Sequence, residues 1–377
     1  MRFVTLFPQA ENVHLIKDVG MIPYIMQMSY GYQATLACYG QGDYSYLRSE
    51  VQGLTIDRIS KFTGNICLDG CLYILANYKN IDVLHIFHLN LRSLAWIPLF
   101  KFLNPQGLIY LKLDADSSDI KNCKFNPNNL KHRAKEWILR QCTLISVETT
   151  RLHHQIKKTW PVPVRYIPNG FYDWGERKPV KYDTKTNVIC TVGRIGSDQK
   201  ATEILLEAFR IASEHIPEWK VRITGPIEHS FIAHIDKYFK DNPHLRERIL
   251  FIGPVSDRNL LRQEYKQSKI FCLTSRWEGF ALVFAEAMQN GCYIITSDVE
   301  PAPDVTDHGK YGDVFPIDDS RSLADILVKR CSNETNLKET CSNIQNYAYQ
   351  KFYWVSICGE INEYLKNQNL TENHIEK

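Results

Sequence analysis

No two of the eleven cysteines stand in a Cys-x-x-Cys spacing, so neither a thiolate zinc site nor a dithiol redox motif is written in this chain. The cysteines lie singly in apolar runs such as "LACY", "VICTVG" and "IFCLTS", which is how reduced core residues of a cytosolic protein look. No stretch approaches the roughly eighteen uninterrupted apolar residues of a membrane span. The first residues, "MRFVTLFPQAENVHLIKD", have neither the apolar region nor the cleavage site of a secretory leader, so none is expected. Charge of one sign is missing too: 45 basic against 42 acidic side chains leave a net +3, and nothing in the balance argues for nucleic acid. Neither a short internal repeat nor a low-complexity tract occurs.

What is present is an ordinary globular composition, 44% apolar and 23% charged, over 377 residues. That length suits two domains of roughly 180 residues each. Short β-branched and aromatic runs alternate with stretches of helical period, first as "RFVTLF", "QATLACY", "IDVLHIF", "GLIYLKL", "CTLISVE" and "VRYIP". Helices between them are expected near Gly20, Asn65, Leu91, Pro127 and Glu148. The pattern breaks at "PNGFYDWGERKPVKYDTKT" and restarts with "NVICTVG", "KVRITG", "RILFIG", "KIFCLT", "CYIITS" and "GDVFPI". Alternation of this kind predicts two α/β domains with parallel sheets: residues 1–170, a linker over 171–186, residues 187–345, and C-terminal helices over 346–377 crossing back to the first domain. The segment "LAWIPLFKFLNPQGLIYLKL" reads as a core helix and a strand, with contact to a membrane surface as the alternative.

In open parallel sheets ligands bind beyond the carboxyl ends of the strands, so the residues just after each strand carry the chemistry. "VGRIGSDQKATEILLEAF" sets Arg194 behind a strand and Lys200 at a helix mouth, where side-chain charge and helix dipole together favour a phosphate or diphosphate. An exposed basic turn is the plainer reading. "RWEGFALVFAEAMQNG" places Glu278 in the next such loop, with Gly279 open to close approach and a helix from "FALVFAEAMQNG" that puts Glu286 about two turns in. Carboxylates repel phosphate and accept from hydroxyls, so their fitting partners are vicinal diols. Glu286 sits among Phe284, Ala285, Ala287 and Met288, where a carboxylate needs a partner.

These stretches, with "YIPNGF" and the strand and helix order, resemble the retaining glycosyltransferases of family four, or glycosyl transferases group 1. The resemblance is strongest over residues 164–320. It implies the GT-B fold, two facing Rossmann-like domains, of which the first would bind the acceptor and the second a nucleotide sugar. The activity implied is transfer of a sugar from a UDP- or GDP-sugar to a saccharide or lipid-linked saccharide acceptor, with retention and without a metal or other cofactor. It further implies that Arg194 and Lys200 hold the donor diphosphate, that Glu278 meets the donor sugar and Glu286 the ribose, and that the backbone amides of Gly279, Phe280, Ala281 and Leu282 face the diphosphate. Family members carry a glycine-rich loop after the first strand, for which only Gly20 is available, and a His-x-His after a later strand, where "IDVLHIFHLN" offers His85 and His88 one position further apart. By alternation the two point to opposite faces; His88, nearer the strand's carboxyl end, is taken as the group near the reacting centre, and His85 as a core histidine. The expected location is cytoplasmic, at the inner face of a membrane, in polysaccharide or glycolipid biosynthesis.

Other readings keep the fold but make the protein an epimerase, a phosphorylase or a non-catalytic nucleotide-sugar binder. "LIYLKLDADSSD" also offers Asp114-x-Asp116, a pattern with which the unrelated single-domain GT-A type binds a metal and the donor diphosphate. Such pairs in loops are usually solvated.

Overall fold

The computed structural model describes residues 1–375, so the last two residues of the expected C-terminal helices lie outside the described residues. The chain divides into two compact units, Met1–Tyr172 with Tyr353–Lys377, and Asp173–Phe352.

The first unit is a sheet of seven parallel strands: β1 (Arg2–Leu6), β2 (Gln33–Cys38), β3 (Thr55–Arg58), β4 (Val83–Phe87), β5 (Leu108–Lys112), β6 (Leu144–Val147) and β7 (Arg165–Tyr166). Their order is β3-β2-β1-β4-β5-β6-β7, the doubly wound arrangement whose switch point lies between β1 and β4. β4 and β5 are buried along their whole length, as expected of central strands covered on both faces. β3 is absent from the sequence-based reading because "TIDR" is short, half exposed and carries a single large apolar residue, so it gives no periodicity to detect.

The second unit repeats the plan with β8 (Thr186–Val192), β9 (Lys220–Thr224), β10 (Ile249–Gly253), β11 (Ser268–Leu273), β12 (Tyr293–Ser297) and β13 (Gly312–Phe315), in the order β10-β9-β8-β11-β12-β13. The stretch expected as a free linker is part of this unit from Asp173 onward. The reason is a set of hydrogen bonds to the helix Glu334–Lys351: Gln345 Nε2 donates to the Lys178 carbonyl at 2.9 Å, and Arg177 donates to Asn346 Oδ1 at 2.7 Å. That helix stays with the second unit as well, so the return to the first unit falls at Tyr353 and not near residue 346.

The helix Trp354–Ile375 then packs on the helix Asp18–Tyr30 within the first unit. Tyr30 Oη donates to the Val355 carbonyl at 2.6 Å, Trp354 is 1% exposed, and a Cβ on Gly359 would come within 2.7 Å of Tyr30 Oη. The helix Leu91–Leu103 buries Trp96, Ile97 and Phe100 in the core and leaves Leu91 and Phe102 each 83% exposed. Among the described residues no helix is long and apolar enough to cross a membrane.

Candidate active site

In the second unit the chain leaves β8 through Gly193 and Arg194 and enters the helix Thr202–Ala212. Gly225, after β9, lies so close to this turn that a Cβ there would stand 1.8 Å from the Gly193 carbonyl oxygen; only glycine lets the two strand ends meet. Ala201 caps the helix with φ of 45°, a left-handed conformation held by Thr274 Oγ1, which donates to the carbonyls of Lys200 and Ala201. No side chain caps this helix start, nor that of the helix Leu282–Gln289, which follows β11. Their first amides are thus available to an anion.

The second helix begins at Leu282, later than the sequence suggests, because Ala281 is extended (φ −70°, ψ 116°). Glu286 therefore sits just over one turn into it, not two. It does have partners: Arg258 and Tyr265 each bond one of its oxygens, Tyr265 Oη at 2.9 Å. Both come from the helix Arg258–Gln267, and the pairing leaves lone pairs on both carboxylate oxygens. Glu278 is 5% exposed and pairs with Lys200 Nζ at 2.5 Å, while Ser275 Oγ donates to the same oxygen at 2.6 Å. The Phe280 side chain turns inward onto Phe352, ring centroids 5.4 Å apart, so only its backbone is left for a ligand.

Arg194 is exposed and donates to Gln199 Oε1 at 2.7 Å; Gln199 in turn donates to the Trp277 carbonyl at 3.0 Å. The two loops are also fastened by Arg276, which bonds Asp198 Oδ1 at 2.8 Å, Glu203 at 2.7 Å and Asp318 at 2.8 Å. Arg258, Tyr265 and Arg276 were missed in the sequence, where each is one polar residue among many and nothing local marks its partner.

In the first unit Gly20 lies inside its helix and is buried; a Cβ would meet the Leu15 carbonyl oxygen at 2.3 Å, so its smallness serves the packing of the preceding turn. His85 is fully buried, stacked on Tyr110 with Nδ1 3.0 Å from Thr5 Oγ1, and burial, then Lys112, pushes its pKa well below the usual value. His88 stands past the end of β4 with φ of 60°, its N–H donating to the Lys112 carbonyl at 2.9 Å. Its Nε2 is 4.0 Å from Oδ2 of Asp114, another left-handed residue, φ 42°. Two such non-glycine residues side by side at strand ends mark stored backbone strain of about 1–3 kcal/mol each. Asp116 is spent on the helix Ser117–Asn122, accepting from the amides of Ser118 and Asp119 at 2.7 and 2.9 Å.

Behind these residues lies a buried charge cluster. Lys112 Nζ is 2.8 Å from Glu148 Oε1 and 3.9 Å from Asp18 Oδ2, and Glu148 Oε1 also accepts the Asp114 N–H at 3.0 Å. Asp18 is pushed up to about 7 by burial first, then by Asp114 and Glu148, against the pull of Lys112. A carboxyl raised in the folded state holds its proton more tightly there, so its contribution to stability is present below the ordinary value of 3.8 and lost as pH rises through about 7. Asp18→Asn should flatten the pH dependence of the melting temperature between about pH 4 and 7 and gain on the wild type at pH 8. An unchanged slope in the variant would assign the dependence to other groups.

Residues 173–351 match the family model described as glycosyl transferases group 1. An uncharacterized 41.2 kDa protein in the cps region of Klebsiella pneumoniae is 25% identical over 168 residues, 44% of this chain and 43% of that one. A phosphatidyl-myo-inositol mannosyltransferase of Mycobacterium tuberculosis is 23% identical over 185 residues, 48% of this chain and 47% of the enzyme. The chain thus spans about half the length of the curated relatives it matches. Among solved structures, sucrose-phosphate synthase from Thermosynechococcus elongatus superposes with a TM-score of 0.75 at 14% identity, covering 98% of this chain and 100% of the other. Anabaena HepE in complex with UDP does so at 0.72 and 18%, covering 97% and 100%. Residues 173–351 form a glycosyl transferases group 1 domain, within a chain that has the GT-B fold.

Proposed function

We propose that this protein transfers a sugar from a UDP- or GDP-sugar to a hydroxyl of a saccharide or lipid-linked saccharide, with retention of anomeric configuration. The observation that carries this reading is the carboxyl edge of the second sheet, where Arg194, Lys200 and Glu278 follow β8 and β11, two helices start uncapped, and Glu286 lies just over one turn into the second of them. Arg194, Lys200 and the amides of Gly279 to Leu282 neutralise the departing diphosphate, which is the group that gains charge as the glycosidic bond breaks. With that charge met by protein groups, the step needs no divalent cation. Glu278 accepts from the sugar hydroxyls, and Glu286, oriented by Arg258 and Tyr265, accepts from the ribose. In the first unit His88 is the group assigned to the reacting centre. The structures of Anabaena HepE in complex with UDP and with UDP-glucose support a nucleotide-sugar donor.

Calorimetry in chelator with UDP-, GDP- and ADP-sugars tests this. One nucleotide should bind, and Lys200→Ala should weaken its diphosphate about tenfold or more while leaving the nucleoside unchanged. Failure of every nucleotide to bind would overturn the proposal.

A further inference from the structure

The second unit has a cavity of about 240 Å³ at the amino end of its sheet, away from the loops that carry Arg194, Lys200 and Glu278. Lys185 precedes β8, Lys266 precedes β11 and Asn290 precedes β12, so the wall is made where these strands begin. The seven residues of β8, at roughly 3.3 Å each, put about 20 Å between this end of the sheet and the other.

Five cations line the cavity, Lys178, Lys181, Lys185, Arg262 and Lys266, against two carboxylates, Asp173 and Glu176. That is an excess of three in a chain whose whole net charge is +3. Part of this charge has a structural reason. Lys185 is 7% exposed, and its Nζ donates to the carbonyls of Tyr265, Lys266 and Ser268 at 3.2, 3.2 and 2.8 Å, closing the end of the helix Arg258–Gln267. Lys178 Nζ lies 3.5 Å from Glu176 Oε2, both of them exposed. The two oxygens of Asp173 accept from the Gly175 N–H, at 3.0 Å, and from Tyr349 Oη. Arg262 holds its guanidinium 4.7 Å from the Trp174 ring centroid and gives one Nη1 hydrogen to Asn259 Oδ1 at 3.1 Å. Neither it nor Lys181 nor Lys266 has a carboxylate within ion-pair distance among the described residues.

We propose that this cavity binds the phosphate group of a small molecule. Like charges gathered in one concavity raise each other's energy, and a counter-anion relieves it. The three unmatched cations come from two elements. Arg262 and Lys266, four residues apart, share one face of their helix, and Lys181 stands on the stretch before β8. A phosphate has three oxygens set around a tetrahedron and meets donors arriving from separate directions, whereas a carboxylate presents two oxygens in one plane. The volume lies below the roughly 300–1,000 Å³ of drug-sized sites, which suits a small anion and not a whole nucleotide sugar. None of the groups assigned to the donor lines it, so the site is independent of the transferase reading.

Calorimetric titration of the full chain with pyrophosphate tests this, with glucose 6-phosphate and citrate as further probes. Pyrophosphate should bind in two equivalents, one at each end of the second sheet. Lys181→Ala with Lys266→Ala, a change at two exposed side chains, should weaken one equivalent about tenfold or more and leave nucleotide affinity unchanged, while Lys200→Ala weakens the other. Glucose 6-phosphate that binds the wild type and is lost in the double variant would equally support the site and give its source as a phosphomonoester. A single equivalent of pyrophosphate that Lys200→Ala removes, or two equivalents that the double variant leaves intact, would overturn the proposal. So would citrate that binds there as tightly as either phosphate. Failure of nucleotides to bind would count against the transferase reading alone.

Discussion

Glu278→Gln will bind UDP or GDP about three- to tenfold more tightly than the wild type, yet transfer sugar at least about a hundredfold more slowly. The Glu278 carboxylate lies 2.5 Å from Lys200 Nζ and competes for the charge that the diphosphate would use. A neutral amide keeps the shape and can still accept from Ser275 and Lys200, but it no longer competes for the cation or repels the phosphate. The gain belongs to the nucleoside diphosphate, which has no sugar. A nucleotide sugar also needs the carboxylate for its hydroxyls, and exchanging an ionised acceptor for an amide removes the stronger kind of hydrogen bond there. Titration calorimetry with the free diphosphate and single-turnover kinetics with the nucleotide sugar separate the two effects. Equal losses in both would mean that Glu278 serves only to orient Lys200.

Lys112→Met will destabilise the first unit by about 3–5 kcal/mol, seen as a lower midpoint of urea unfolding. Lys112 and Glu148 are both fully buried at 0% exposure, and removing the cation leaves Glu148 and Asp18 without their counter-charge. The cost is that of a carboxylate stranded in low dielectric and not the worth of the pair. Lys112→Met with Glu148→Gln should therefore recover more than half of the loss, because the amide oxygen can still accept the Asp114 N–H and no buried charge remains on that side chain. If the double variant is less stable than the single one, the pair itself and not the stranded charge is what matters.

The two strand series show how far local pattern reaches. Twelve of the thirteen strands announce themselves as short apolar runs, among them the edge strands β7, β10 and β13 as well as the central strands, which must be apolar on both faces. β3 escapes because its four residues are half exposed and carry a single large apolar side chain. The histidines show the limit of local pattern. Alternation would send His85 and His88 to opposite faces, but it applies only within a strand, and His88 lies past the end of β4 with φ of 60°; its approach to Asp114 depends on two strand ends meeting in space. Glu286 stood out as a carboxylate in an apolar helix face and so demanded a partner; which residues answer, Arg258 and Tyr265 twenty-odd positions earlier, no spacing rule could say.

Local sequence, then, determined the parallel α/β plan, the break between two sheets and the short stretches after β8 and β11 that carry Arg194, Lys200, Glu278 and Glu286, since periodicity and turn chemistry act over a few residues. Tertiary structure decided what side chains touch: the Lys200 to Glu278 ion pair, the Arg258 and Tyr265 partners of Glu286, the Arg276 fastening of two loops and the buried Lys112 cluster. Each depends on side chains tens of residues apart being brought within a few ångströms and out of water, where charge and hydrogen bonding acquire energies that no local pattern encodes.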